Sequence, residues 1–358
     1  NNLRDPEQFP CVDYVSNDYA VFYTELENAL PLSLERQPYY SIPSLFTLLD
    51  DSAMEAAGIV SALQTPALSN MGSGVIIGIV DTGIDYTSPV FRKSDGTTRI
   101  LGLWDQTLPE DPSVLPPGVP EYYPMGGASY GTEFTHEEIN EALTLEDPFS
   151  LVPSKDTDGH GTFLAGLAAG TAFPLQNFTG AAPMADLAIV KLKPAKKYLR
   201  DYYLISEDTP AFQENDIMMG IKYLRVTAFR LGRPLIILIA LGSNLGSHEG
   251  TSPLSITLQD ISRSLGAATV IAAGNETGLG HHYEGTIPGG QEFDDVEIRV
   301  GQPESELGFV VELWASTADT YSVGFISPSG EIISRIPIIA GNETSIPFLL
   351  EPTVITVN

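Results

Sequence analysis

Cysteine and cationic side chains are scarce in this sequence. Cys11 is the one cysteine, so an internal disulfide framework is excluded, and no histidine stands near it to activate it as a nucleophile. The sequence contains 18 Lys and Arg residues but 46 Asp and Glu residues, which gives a net charge of −28. Such a surface repels nucleic acids and anionic membranes, and it therefore excludes both as partners. The acidity is typical of a soluble and secreted protein.

Long apolar runs and targeting signals are also missing. No apolar run approaches the roughly 18 residues that a membrane span requires, and no signal peptide is visible. The sequence does not begin with Met, so we expect a processed or excised piece of a longer protein. Hydrophobic residues make up 43% of the chain, which is enough to build a core and argues against disorder.

Apolar runs of strand length alternate with helical patterns in the middle of the chain. The runs predict strands at 75–80, 186–192, 234–241 and 267–273. The helical patterns lie at 137–143, 159–170, 214–231 and 253–265, and Ser252 and Pro253 suit the start of the last one. The order predicts an α/β fold with a parallel sheet and helices on both faces, whereas 92–158 reads mostly as loops. After about residue 291, alternating segments at 296–300, 308–314, 321–326, 331–339 and 354–357 predict a partial antiparallel β module.

Three short motifs carry residue types that suit nucleophilic catalysis. Asp81 follows a buried strand and precedes a glycine turn, so its carboxylate is well placed to orient a histidine. His160 stands between two glycines at a helix start, where substrate backbone can approach its ring. Asn275 follows small residues at a strand end, where its amide can stabilise an oxyanion. The alternatives are a turn-forming Asp, a structural His and a simple Asx turn.

Taken in this order, Asp81-Thr-Gly, His160-Gly-Thr and Ala273-Gly-Asn275 resemble the motifs of the subtilases, the subtilisin-like serine proteases. The resemblance covers about 40–290 and implies a subtilisin-like parallel α/β sheet with the active site at the carboxyl ends of its strands. It assigns an orienting role to Asp81, an acid–base role to His160 and an oxyanion role to Asn275.

Finer features resemble the clostridial Csp-type branch of the subtilases, which includes spore-germination proteases. The segments that carry this likeness are 42–49, 53–59, 97–107, 130–133 and 139–140. That branch has a jelly roll inserted between the oxyanion Asn and the serine, in the position of the β-rich stretch here. The resemblance implies a secreted or spore-associated protein of a Gram-positive anaerobe. We expect an N-terminal arm or prodomain remnant at 1–40, part of a catalytic domain at 41–290 and the start of a jelly roll at 291–358.

The same resemblance implies two substrate-binding segments. Ala240, Leu241 and Gly242 would form the edge that pairs with an extended protein or peptide substrate. Ala272, Ala273 and Gly274 would form a wall of the pocket for the side chain before the cleaved bond.

The serine motif of the family, Gly-Thr-Ser-x-Ala, does not occur between 276 and 358. Gly250-Thr251-Ser252 matches the first three residues of this motif, but it precedes Asn275 and continues with Pro253 and Leu254. Ser252 is therefore better explained as a helix cap. Three explanations remain open. The serine lies on a C-terminal fragment of the same protein, the sequence is truncated, or the protein is an inactive subtilase-like pseudoprotease with a regulatory or binding role in spore germination.

Metal binding has little support in the sequence. His281, His282 and Glu284 are candidate ligands, but adjacent side chains in an extended segment point to opposite faces. Calcium at acidic loops is common among subtilases and stays open as a cofactor, although no segment shows an ordered ligand spacing. We assign no metal ligands.

Overall fold

The computed structural model describes residues 71–109, 130–172, 178–197, 203–246, 248–274, 278–300, 308–315, 319–337 and 344–357, together with Arg200 and two short strands near the N-terminus. The chain divides into two compact units, Asn1–Ser52 and Ala53–Asn358. In the first unit, β1 (Val12–Tyr14) and β2 (Ala20–Phe22) pair antiparallel. The predicted domain limits at residues 40 and 290 stay predictions, and Cys11 lies outside the described residues.

A six-stranded sheet of order β5-β4-β6-β3-β7-β8 forms the core of the second unit. Its strands are β3 (Ile76–Asp81), β4 (Ile100–Asp105), β5 (Thr132–Thr135), β6 (Asp186–Lys191), β7 (Leu235–Ile239) and β8 (Ala267–Ile271). All neighbouring strands are parallel except β4 and β5. All six residues of β3 are buried, as its continuous apolar run predicts for a central strand.

Helices cover both faces of this sheet. They are α1 (His136–Ala142), α2 (His160–Ala169), α3 (Glu214–Leu231) and α4 (Pro253–Ser262). Buried side chains of α1 and α2 pack in one cluster with Ile77, Ile79 and Leu187. Side chains of α3 and α4 pack in another with Val80 and Val190. The predicted fold, a mostly parallel sheet between two helical layers, is confirmed. None of the helices in the described ranges is long and apolar enough to cross a membrane.

Two strands lie in the stretch that the sequence predicts as loops. β4 and β5 form the antiparallel edge of the sheet, with Trp104 opposite Glu133. Trp104 is buried between Tyr130 and Tyr223, and its indole nitrogen donates to the Tyr130 carbonyl. The sheet therefore extends two strands beyond the prediction.

The C-terminal region contains two separate hairpin-like pairs. β9 (Ser322–Ile326) pairs with β10 (Ile332–Pro337), and β11 (Thr344–Pro347) pairs with β12 (Val354–Val357). The strands predicted at 296–300 and 308–314 are wrong, because neither segment forms a strand. Alternation alone does not make a strand, and the side chains of 296–300 lie exposed instead of packing on a buried face.

Candidate active site

Asp81 is the last residue of β3 and lies at the carboxyl edge of the sheet. Its side chain is buried, and the backbone then turns at Gly83, whose φ is 116°. Only glycine adopts this φ readily, so the turn needs Gly83. The N–H of Thr82 donates to Oδ1 of Asp81 at 2.8 Å, which orients the carboxylate.

His160 is the first residue of α2 and faces Asp81. Its Nδ1 lies 2.8 Å from Oδ1 of Asp81, although 79 residues separate the two in sequence. Gly159 occupies the N-cap position in the left-handed region, with φ of 93°. The Asp81 side chain is 1% exposed and the His160 side chain 44% exposed. The pair therefore joins a buried carboxylate to an imidazole that is open to solvent.

A close backbone approach permits this contact. A Cβ atom on Gly161 would lie 2.2 Å from the carbonyl oxygen of Gly83 and 3.2 Å from Oδ1 of Asp81. Real Cβ atoms do not come so close to a carbonyl oxygen. Glycine at position 161 is therefore needed for the first turn of α2 to reach the turn after β3.

The second oxygen of Asp81, Oδ2, is buried and has no hydrogen-bond partner among the described residues. Buried polar side-chain atoms are normally paired, so this oxygen is an exception. Both hydrogen bonds of the carboxylate converge on Oδ1, from Thr82 N and His160 Nδ1. This arrangement favours a proton held on Nδ1 and leaves Nε2, on the opposite side of the ring, as the acceptor.

Asp156 is a site residue that sequence reasoning missed. Its oxygens accept hydrogen bonds from Thr82, Gly159 and Thr162, which are sequence neighbours of Asp81 and His160. The available signal was an acidic residue just before a helix whose N-cap is glycine and supplies no side chain.

The loop that carries Asp156 is attached to the sheet. The hydroxyl of Ser154 donates to Oδ2 of the buried Asp105 at 2.7 Å. Lys191 donates to the carbonyl of Lys155 at 2.8 Å and lies 3.4 Å from the same Asp105 oxygen. The loop is therefore held at the carboxyl ends of β4 and β6.

The predicted substrate segments follow β7 and β8, the two strands next to β3 on one side. Ala240 and Leu241 are half-buried, whereas Gly242 is exposed. Ala272, Ala273 and Gly274 are exposed, and the N–H of Ala272 donates to the Ile239 carbonyl at 3.0 Å. The topology thus places both segments at the sheet edge that carries Asp81. Asn275 lies outside the described residues.

Ser252 is the N-cap residue of α4. Its Oγ accepts the N–H of Ser255 at 3.1 Å, and Pro253 takes the first helical position. The helix-cap interpretation of Ser252 is confirmed.

The segment that contains His281 and His282 does not form a metal-binding cluster with other described residues. His282 stacks on His248 with ring centroids 5.1 Å apart, beside a surface hollow of about 380 Å³ that neither Asp81 nor His160 lines. Within the described part of the chain, no group of three or more His, Cys, Asp or Glu side chains is arranged to hold a metal ion.

The sheet order, the strand-end carboxylate and the histidine at a helix start define the class of subtilisin-like α/β proteins. The Subtilase family profile matches residues 72–334, which is most of the chain. The chain belongs to the subtilase family, and its sheet is the subtilisin-like one that the resemblance implies.

Individual relatives agree with this assignment. The structure of the Clostridium perfringens CspB protease is similar over 81% of this chain and 54% of that one, with a TM-score of 0.59 and 27% identity. Two subtilisin-like proteases of Arabidopsis thaliana also match. SBT2.1 is 32% identical over 135 residues, which is 34% of this chain and 15% of its own length. SBT3.6 is 26% identical over 219 residues, which is 59% of this chain and 26% of its own length. The chain thus spans about half of the CspB structure and 15% and 26% of these two plant relatives.

Proposed function

We propose that this chain carries the orienting carboxylate and the acid–base histidine of a serine endopeptidase that hydrolyses peptide bonds in protein or peptide substrates. The observation that carries the proposal is the 2.8 Å contact between Nδ1 of His160 and Oδ1 of Asp81. The buried carboxylate and the half-exposed imidazole match the geometry that a serine nucleophile needs from its two partners.

The chemistry follows from the two nitrogens of His160. Asp81 accepts a hydrogen bond from Nδ1–H of His160, which keeps Nε2 free to take the proton from a serine hydroxyl as that oxygen attacks the peptide carbonyl. The imidazolium that forms is stabilised by the buried carboxylate. His160 then gives the Nε2 proton to the leaving amine, and water repeats the cycle on the acyl-enzyme.

The remaining roles rest on the family resemblance and on position in the sheet. We assign the oxyanion donor to Asn275, which follows β8. The segment Ala240 to Gly242 would pair with an extended substrate through its backbone, since it continues β7 beside β3. Ala272 to Gly274 would line the pocket for the side chain before the cleaved bond.

In this proposal, the nucleophilic serine is not one of the 358 residues of this chain. No Gly-Thr-Ser-x-Ala segment occurs after Asn275, and the chain spans 54% of the CspB structure. Phe163 and Leu167, one turn apart on α2, are 62% and 46% exposed, which leaves apolar surface beside His160 for a further segment to cover. We propose that the serine comes from a C-terminal part of the same protein, so the isolated 358-residue chain is expected to be inactive.

A fluorophosphonate probe tests the proposal on the full-length protein, including any co-purifying fragment. We expect labelling of a serine in a Gly-Thr-Ser-x-Ala segment, located by mass spectrometry. His160→Ala should abolish labelling, while His282→Ala, at an exposed histidine, should retain it. Absence of labelling on every chain of the folded wild type would overturn the proposal and leave a regulatory or binding role.

A further inference from the structure

The N-terminus of α2 is capped entirely by side chains that precede the helix. Gly159, at the N-cap position, has no side chain with which to accept a hydrogen bond. The free N–H groups of His160, Gly161 and Thr162 are instead taken by Asp158 Oδ1 at 3.3 Å, Thr82 Oγ1 at 2.9 Å and Asp156 Oδ2 at 2.9 Å. The conformation of the turn that carries His160 therefore depends on these acceptors.

The carboxylate of Asp156 is fully used as an acceptor. Oδ1 receives the N–H of Gly159 at 2.9 Å and the hydroxyl of Thr82 at 2.9 Å. Oδ2 receives both the N–H and the hydroxyl of Thr162, at 2.9 and 2.6 Å. Burial acts to raise the pKa of Asp156, but these hydrogen bonds together hold it below its usual value. The group is therefore an ionised carboxylate at neutral pH.

Asp156 also reaches the other member of the catalytic pair. The hydroxyl of Thr82 donates to Asp156, and the N–H of the same Thr82 donates to Oδ1 of Asp81. The Thr82 hydroxyl in turn accepts the N–H of Gly161 on α2. One carboxylate thus fixes both the turn after β3 and the first turn of α2.

We propose that Asp156 is a positioning residue that sets the distance between Asp81 and His160. It touches neither the substrate nor the reacting atoms, and it acts by holding the two segments that carry them. The loop on which it stands is itself fixed to the sheet through Ser154 and Lys155. The catalytic part of this inference rests on the proposed function, whereas the geometric part does not.

Asparagine cannot replace this carboxylate, although it has the same shape. Each oxygen of Asp156 accepts a backbone N–H, and a backbone N–H cannot reverse its role. Whichever way the amide of Asp156→Asn turns, its NH₂ group faces one of these two donors. The matched control is Asp158→Asn, two residues away and exposed, because an amide oxygen can still accept the single bond from His160 N. Both variants remove one negative charge near His160.

The test uses full-length protein containing ¹⁵N-labelled histidine. The first readout is the low-field proton resonance of His160 Nδ1–H bonded to Asp81, which is assigned by its loss in His160→Gln. The second readout is the rate constant for fluorophosphonate labelling. Asp156→Asn is expected to shift or broaden the resonance and to slow labelling by about 10- to 100-fold, since misplacement of a catalytic group by about 1 Å costs this much. Asp158→Asn is expected to leave both as in the wild type.

An unchanged resonance in folded Asp156→Asn overturns the proposal, as does an equal change in Asp158→Asn. If Asp156→Asn does not fold, Thr82→Val decides instead, because it removes only the hydroxyl that links Asp156 to Gly161. An unchanged resonance in Thr82→Val would then overturn the proposal. If the wild type is not labelled, the proposed function fails, and the resonance alone still decides the role of Asp156.

Discussion

Gly161 lies so close to Gly83 that a Cβ atom on Gly161 would stand 2.2 Å from the Gly83 carbonyl oxygen. The helix of His160 therefore rests directly, backbone against backbone, on the turn that follows Asp81. This contact places an imidazole within hydrogen-bond distance of a buried carboxylate. It also makes a methyl group at position 161 incompatible with the site.

Gly161→Ala should destabilise the protein by about 1–3 kcal/mol, because the added methyl forces the two backbones apart. Gly166→Ala, on the same helix, is the matched control. A Cβ there meets only Phe178, at an ordinary 3.8 Å, and helix propensity favours Ala by up to about 1 kcal/mol. Urea unfolding of both variants checks the prediction, and two effects of the same sign and size would contradict it.

Asp81→Asn should lower kcat of the full-length protein by about 10⁴-fold, with folding retained. The neutral amide is no longer a charged acceptor for the hydrogen bond from Nδ1–H, so His160 loses both its orientation and the stabilisation of its imidazolium. Asp95→Asn is a suitable control, because Asp95 accepts hydrogen bonds only within an exposed turn. The measurement is kcat for peptide hydrolysis by the two variants. Similar kcat values would disprove the role of Asp81.

Acid should remove the stabilisation that Asp156 provides. Its pKa is lower in the folded protein than the unfolded value of about 3.9, so the ionised group favours the folded state above that pH. The contribution disappears as the pH falls through the folded pKa. The difference in the free energy of unfolding between wild type and Asp156→Asn should therefore be constant above about pH 5 and shrink below about pH 3.9. Urea unfolding at a series of pH values measures it, and a difference independent of pH would count against the prediction.

Arg99 should be a strong contributor to stability at the other end of α2. Its buried guanidinium donates to the carbonyls of Ala185 at 2.6 Å, of Val90 at 2.9 Å and of Ala169, the last residue of α2. Burial lowers the pKa of Arg99, and Asp186 acts against this. Arg99→Met should cost about 1–3 kcal/mol for each buried carbonyl left without a donor.

The control for Arg99 is Arg263→Met, at an exposed ion pair with Asp260, with an expected change within about 0.5 kcal/mol. Denaturant unfolding compares the two variants. If both substitutions had the same small effect, the buried guanidinium would not be stabilising α2.

The central strands could be predicted from the sequence, whereas the edge of the sheet could not. β3 is buried throughout and β6 and β7 are mostly buried, and such strands read as continuous apolar runs. β4 contains Gly102 and ends at Asp105, whose burial depends on Lys191 and Ser154 from distant parts of the chain. Local sequence does not contain that information, so the strand is hidden in a stretch that resembles a loop.

For Asp81 and His160, too, part of the arrangement could be predicted from the sequence and part could not. Asp81 and His160 stand out because each occupies the end of a regular element within two residues of a glycine. Their 2.8 Å separation depends on packing between residues 79 positions apart, which no local pattern reveals. Asp156 does not stand out in the sequence, because Asp158 is also acidic and lies nearer to His160, yet Asp158 is exposed and accepts a single longer hydrogen bond from the His160 backbone N–H.

The capping of α2 by Thr82 has a consequence for folding. A helix normally closes its first turn with a neighbouring side chain, but Gly161 N receives its partner from a residue 79 positions earlier. That hydrogen bond requires a long loop to close first, and such closures are entropically costly and slow. The first turn of α2 is therefore expected to become ordered only after β3 and the Asp156 loop have come together. The histidine would then acquire its orientation only after these two segments have met.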